Sequence, residues 1–220
     1  MQLYIAYKNY SSWSLRPWIA MKVAGIPFDE TLLPFAHSDA LKQLSERYQI
    51  PAQVPVLVVN EGEADELVIW DSLAIMEYLA ETFPDRKLWP EEKGLRSLAR
   101  SAAAEMHSGF SALRSHFPMN CRVQKQIQPN EEVLANLERL AQIWAHFERA
   151  KKPEGSFMCG HFSIVDAMYA PVMWRVRGYG LKVSPAFDRW AQAMFELPEM
   201  QAWYVSAQDE SWTMPHYEVN

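Results

Sequence analysis

The sequence predicts a small α/β domain followed by an all-α domain, and three observations carry that prediction. Over the first 85 residues, short β-branched and aromatic runs alternate with apolar patterns of helical period. Residues 84–93 are rich in Pro and charge and read as a linker. Beyond them apolar residues recur at helical spacing, punctuated by Pro118, Pro129, Pro153 and Pro198. The expected division is 1–83, a linker over 84–93, and 94–220.

Each element has its own signal. Residues 3–7 form a strand-like run. Apolar residues at 15, 18, 19 and 23 mark a helix over 15–24, with Gly25 as its stop. A second strand is expected over 28–33, and a helix over 39–48 that ends at Gln49-Ile50-Pro51. Two short strands, 56–59 and 67–70, flank the polar turn 60–65 and are close enough to pair as a hairpin. A helix over 73–83 stops before Pro84. The order is βαβ-α-ββα. In the second half, helices are expected near 94–117, 131–150, 163–178, 185–195 and 198–206, and the tail from 209 has no clear period.

Composition narrows the function. The net charge of −6 argues against a nucleic-acid binder, which needs a basic stripe, and weakly against docking on an anionic membrane. The apolar run at 54–59 is far short of the ~20 residues of a membrane span. The first residues show no basic leader pattern, so the cytoplasm is the expected location. Cys121 and Cys159 form no Cys-x-x-Cys pair, and the six histidines show no i, i+4 pair, so no metal site is expected.

Three features of the first half carry chemistry. In Ser11-Ser12-Trp13-Ser14-Leu15-Arg16-Pro17, hydroxyls and a proline sit where the first helix starts. They suit a helix cap, or a hydroxyl aimed at an anion beside a helix N-terminus, where open amides and the dipole favour negative charge. In Gln53-Val54-Pro55-Val56 a proline enters a strand. A cis bond there lets Val54 offer its N–H and C=O to an extended peptide. In Trp70-Asp71-Ser72-Leu73 an acid–hydroxyl pair opens a helix. It suits an N-cap, or the two ends of an α-amino acid, with Ser72 and nearby amides on a carboxylate and Asp71 on an ammonium.

Together these features resemble the cytosolic glutathione transferases, over about residues 2–206. The Ser11–Arg16 segment is most similar to the serine-type enzymes and to the zeta class, whose motif is Ser-Ser-Cys-Ser-x-Arg. The resemblance implies a thioredoxin-like N-terminal domain that binds glutathione, an all-α C-terminal domain, and no metal. By match, Ser11 stabilises the glutathione thiolate with Ser12 next in line. Val54 pairs with the cysteinyl backbone ahead of a cis Pro55, Asp71 and Ser72 hold the γ-glutamyl end, and Gln53 borders the glycine end. Arg16 matches the motif's arginine, tuning the thiolate's surroundings or anchoring the first helix. Trp13 replaces the motif's Cys and walls the electrophile pocket, which Met106, His107, Phe110 and Arg114 on one helix are expected to line. Two activities follow: glutathione transfer to a small electrophile as in detoxification, or a zeta-like cis–trans isomerisation of the maleylacetoacetate type. A non-catalytic binding or regulatory role is the third reading, and homodimers are usual in the family. Separately, Ser163 and Asp166 form an S-x-x-D capping box with a folding role.

Overall fold

A four-stranded sheet of order β2-β1-β3-β4 forms the middle layer of the N-terminal half. The structure is a computed structural model that describes residues 1–34 and 39–219; His37 lies outside the described residues. The strands are β1 (Gln2–Ile5), β2 (Asp29–Leu32), β3 (Val56–Val59) and β4 (Leu67–Trp70), interleaved with helices α1 (Ser12–Val23), α2 (Ala40–Tyr48) and α3 (Ser72–Thr82). β1 pairs in parallel with β2 and antiparallel with β3, and β3 with β4 forms the antiparallel hairpin that the turn at 60–65 predicts. This is the thioredoxin-like arrangement, and it follows from side-chain alternation. Leu3, Ile5 and Leu57 point into the large core with α1 and α3, while Val56 and Val58 point the other way, into a smaller cluster with Leu44 of α2.

The hairpin turn is tied to the opposite face by one carboxylate. Glu61 accepts hydrogen bonds from the hydroxyls of Tyr4 and Tyr48 and pairs with Arg47 at 2.8 Å. Burial first, and then the Glu61 bond, push the Tyr4 hydroxyl from 10.0 to about 12. Its folded value lies above its unfolded one, so this contribution to stability is whole below pH 10 and is lost as pH rises toward 12. Thermal melts between about pH 9 and pH 11 should therefore show stability falling from about pH 10, with a shallower fall in Tyr4→Phe.

The C-terminal half is helical: α4 (Lys93–Ser108), α5 (Ser111–His116), α6 (Glu131–Arg149), α7 (Ile164–Tyr179), α8 (Pro185–Glu196) and α9 (Pro198–Asp209). α6 is amphipathic, burying Val133, Leu137, Leu140, Trp144 and Phe147 at helical spacing, and the Asn130 side chain caps it. α7 is buried along nearly its whole length and packs against both α1 and α4, so it is the pillar on which the two halves meet. Among the described residues no helix is long and apolar enough to cross a membrane.

One expected element is corrected. The helix expected over 94–117 is two helices, broken at Gly109 and Phe110. A Cβ on Gly109 would lie 2.7 Å from the Glu105 carbonyl oxygen, so only glycine lets the chain leave α4 there. Phe110 follows in the left-handed region at φ 58 and restarts the chain in a new direction.

Candidate active site

Between the end of the sheet and the α4–α5 break lies a cavity of about 940 Å³. One wall is the loop entering α1. The Ser11 hydroxyl caps α1, accepting the Ser14 N–H at 3.3 Å. Ser11, Ser12 and Trp13 all line the cavity, so the N-terminal end of the α1 dipole lies at it; the Ser12 N–H is used on the Tyr10 carbonyl at 3.0 Å, as the Ser14 N–H is on Ser11.

The opposite edge is built by β3 and α3. Gln53, Val54 and Pro55 line it, and the Val54–Pro55 bond is cis. Asp71 and Ser72 complete this edge. Asp71 Oδ1 caps α3, accepting the N–H of Leu73 at 2.8 Å and of Ala74 at 3.2 Å, while Oδ2 pairs with His107 Nε2 at 3.2 Å. Asp71 holds φ 79 and ψ 131, a backbone state that costs a non-glycine residue ~1–3 kcal/mol and clusters at ligand sites. The Ser72 hydroxyl is fully buried and has no hydrogen-bond partner among the described residues. A buried polar group without a partner is rare, and a ligand carboxylate at this edge would satisfy it.

The third wall is cationic. Arg114 and Arg175 both line the cavity. Arg114 donates to the carbonyls of His107 and Gly109, and Arg175 to those of Phe117 and Pro171. Among the described residues neither has a carboxylate within 4.0 Å. Burial lowers both guanidinium pKa values, and Arg114 adds to the lowering at Arg175, which falls to about 10. Charge buried without a counterion is costly, so this wall favours an incoming anion.

The tail closes the rim. Glu210 accepts the N–H groups of Lys8 at 2.6 Å and Asn9 at 3.0 Å, and burial pushes its carboxyl pKa up. The Tyr10 hydroxyl donates to Glu218 at 2.6 Å and accepts from Arg122 at 3.0 Å. These bonds hold Met214 and Tyr217 at the cavity wall, next to the loop that carries Ser11.

Ten expected site residues meet here: Ser11, Ser12, Trp13, Gln53, Val54, Pro55, Asp71, Ser72, His107 and Arg114. Three do not. Met106 and Phe110 are buried in the core: Met106 projects about 100° round α4 from its neighbour His107, and Phe110 lies beyond the break that ends the helical spacing. Arg16 lies 1% exposed between α1 and α7, donating to the Met168 carbonyl at 3.2 Å, and is not part of the lining. Its guanidinium carbon stands 4.2 Å from the centroid of the Trp13 ring, and that of Arg114 stands at 4.6 Å. Sequence reasoning missed Arg175, Tyr10, Met214 and Tyr217. An arginine directly after the apolar run Ala167–Trp174 of α7 was the available signal for Arg175.

Comparison with known proteins bears on the fold and the family. The glutathione S-transferase N-terminal domain matches residues 10–82 and the C-terminal domain of the same family matches 130–204, together two thirds of the chain. The chain is 28% identical over 188 residues to maleylacetoacetate isomerase of Rattus norvegicus, covering 83% of this chain and 81% of the relative. It is also 28% identical over 191 residues to a stringent starvation protein A homologue of Haemophilus ducreyi, covering 84% and 79%. In fold it is similar to a glutathione transferase homologue of Burkholderia solved with bound glutathione: TM-score 0.67, 22% identity, 95% of this chain and 98% of that one. Since both halves that frame the cavity match the two halves of one family, the chain belongs to the glutathione S-transferase family.

Proposed function

We propose that this chain binds glutathione in the cavity, lowers the pKa of its thiol beside Ser11, and directs the thiolate onto a small anionic electrophile. The observation that supports glutathione most directly is the unpartnered, buried Ser72 hydroxyl next to Asp71. A γ-glutamyl end brings a carboxylate for Ser72 and an ammonium for Asp71. Val54 offers its backbone to the cysteinyl residue, and Gln53 borders the glycine end. The sulfur then falls at the start of α1. There the Ser11 hydroxyl donates to it, a bond that strengthens when the sulfur is anionic, and the helix end adds its field. The thiol proton leaves to water. Each pKa unit of depression is worth ~1.4 kcal/mol.

The electrophile sits against Trp13 and the arginines. Its anionic character rests on Arg114 and Arg175, two cavity cations without a carboxylate partner among the described residues. Arg114→Gln should cut kcat/KM for a carboxylate-bearing electrophile roughly 10- to 100-fold and change that for a neutral one under about threefold. An equal loss on both substrates would remove the anionic reading.

The same arginine wall, with the rat isomerase among the relatives, favours a second reading. Glutathione adds to a cis diacid, the bond rotates, and glutathione leaves unchanged. A substrate panel that contains maleylacetone alongside aryl halides and enones separates isomerase from transferase. Homodimer assembly and a cytoplasmic location accompany this proposal as family expectations. The competing class is a non-catalytic binding or regulatory protein of the same fold, and a glutathione-resin pull-down discriminates it.

A further inference from the structure

We propose that Ser14, a residue outside the cavity, is the positioning residue that turns the Ser11 hydroxyl toward the ligand. The inference rests on the reading that Ser11 serves the glutathione sulfur.

Ser14 is fully buried and does not line the cavity. Its oxygen accepts the Ala6 N–H at 3.1 Å. That bond fixes Ser14 to the backbone just after β1. The two serine oxygens are 2.7 Å apart, a distance at which one must donate to the other. Each hydroxyl has a single proton. If Ser11 gives its proton to Ser14, nothing remains for a sulfur. If Ser14 gives its proton to Ser11, the Ser11 proton is left to point into the cavity.

A bound thiolate selects the second order, giving a directed chain: Ala6 N–H to Ser14, Ser14 O–H to Ser11, Ser11 O–H to sulfur. Hydrogen bonds in series polarise one another, so a donation from Ser14 makes Ser11 a better donor. No proton is transferred along the chain; the thiol's own proton goes to water. The capping bond is separate, because it comes from the backbone N–H of residue 14 and survives loss of the Ser14 side chain.

Substitution of Ser14 therefore separates chemistry from folding. The readout is the ionisation of enzyme-bound glutathione, followed by thiolate absorbance near 240 nm against pH, with affinity for S-methylglutathione measured in parallel. Ser14→Ala should move the bound-thiol pKa up by about half a pH unit and lower kcat/KM at acidic pH about threefold. S-methylglutathione affinity should stay within about twofold, since that ligand has no thiol to ionise. In a Ser11→Ala background, Ser14→Ala should add nothing, because its effect travels through Ser11. Ser14→Ala also strips the Ala6 N–H of its acceptor. If that variant does not fold, Ser14→Cys keeps the volume and a weak acceptor while donating poorly, and should show the same shift. Ser14→Thr keeps the hydroxyl and should restore the wild-type titration. A bound-thiol titration unchanged in Ser14→Ala or Ser14→Cys overturns the role of Ser14 alone. A shift that persists without the Ser11 hydroxyl overturns it too. Wild-type protein that binds no glutathione removes the underlying reading with it.

Discussion

Ser11→Ala should lower glutathione-dependent turnover about 100-fold while glutathione affinity stays within about twofold. The asymmetry follows from where Ser11 acts. Affinity comes from the peptide edge at Val54 and from the γ-glutamyl edge at Asp71 and Ser72, contacts equal in ground and transition states. The Ser11 bond strengthens only as charge develops on sulfur. The substitution also removes the α1 cap, worth ~1 kcal/mol, so a fall of a few degrees in Tm accompanies the kinetic loss without explaining it. Steady-state kinetics of Ser11→Ala and Ser12→Ala, with calorimetric glutathione affinities, test this directly. Ser12 also lines the cavity, in the first turn of α1. If Ser12→Ala carries the loss and Ser11→Ala does not, the assignment passes to Ser12.

The second large effect is on folding. Asp166 is fully buried, and each of its oxygens is used twice. Oδ1 accepts Met158 N–H at 2.9 Å and Trp190 Nε1–H at 2.8 Å; Oδ2 accepts the Ser163 N–H at 2.9 Å and its hydroxyl at 3.0 Å. One carboxylate thus joins the start of α7, the loop before it, and α8. Burial pushes its pKa up, against the pull of these four donors. Asp166→Ala leaves four buried donors unpaired and should cost about 3–5 kcal/mol, or roughly 10 °C in Tm. Asp166→Asn should cost nearly as much, since an amide NH₂ meets N–H and O–H donors on at least one side. Glutathione affinity in the folded fraction should be unchanged, because Asp166 is not in the cavity lining. Matched melting and binding curves check both halves; loss of affinity at unchanged Tm would contradict the account.

Much of this molecule was legible in its sequence, for identifiable reasons. β3 and β4 announce themselves by β-branched runs, and α3, α6 and α8 by caps and apolar spacing. The α1 and α3 entries were visible because Ser and Asp at helix starts serve both as caps and as anion or ammonium contacts. The α4–α5 break was missed although Gly109 is a stop signal in sequence, because Met106, Phe110 and Arg114 keep a helical spacing across it. The misplacement of Phe110 follows from that error, whereas Met106 was misread because it projects about 100° round α4 from His107. Arg16 shows a different limit. A motif match says that an arginine is present, and only packing shows it beneath Trp13 rather than in the cavity. The tail has no period to read, since polar anchors at Glu210 and Glu218 hold it instead of a buried stripe.

The roles given to Ser11 and Ser14 presuppose that glutathione ionises at the start of α1. The most direct measurement is a pH titration of enzyme-bound glutathione by thiolate absorbance in wild-type protein. The account predicts half-ionisation at least about one pH unit below the ~8.5 of a free thiol, a depression largely lost in Ser11→Ala. A bound thiol that titrates at its free value, or no bound glutathione by calorimetry, would contradict it.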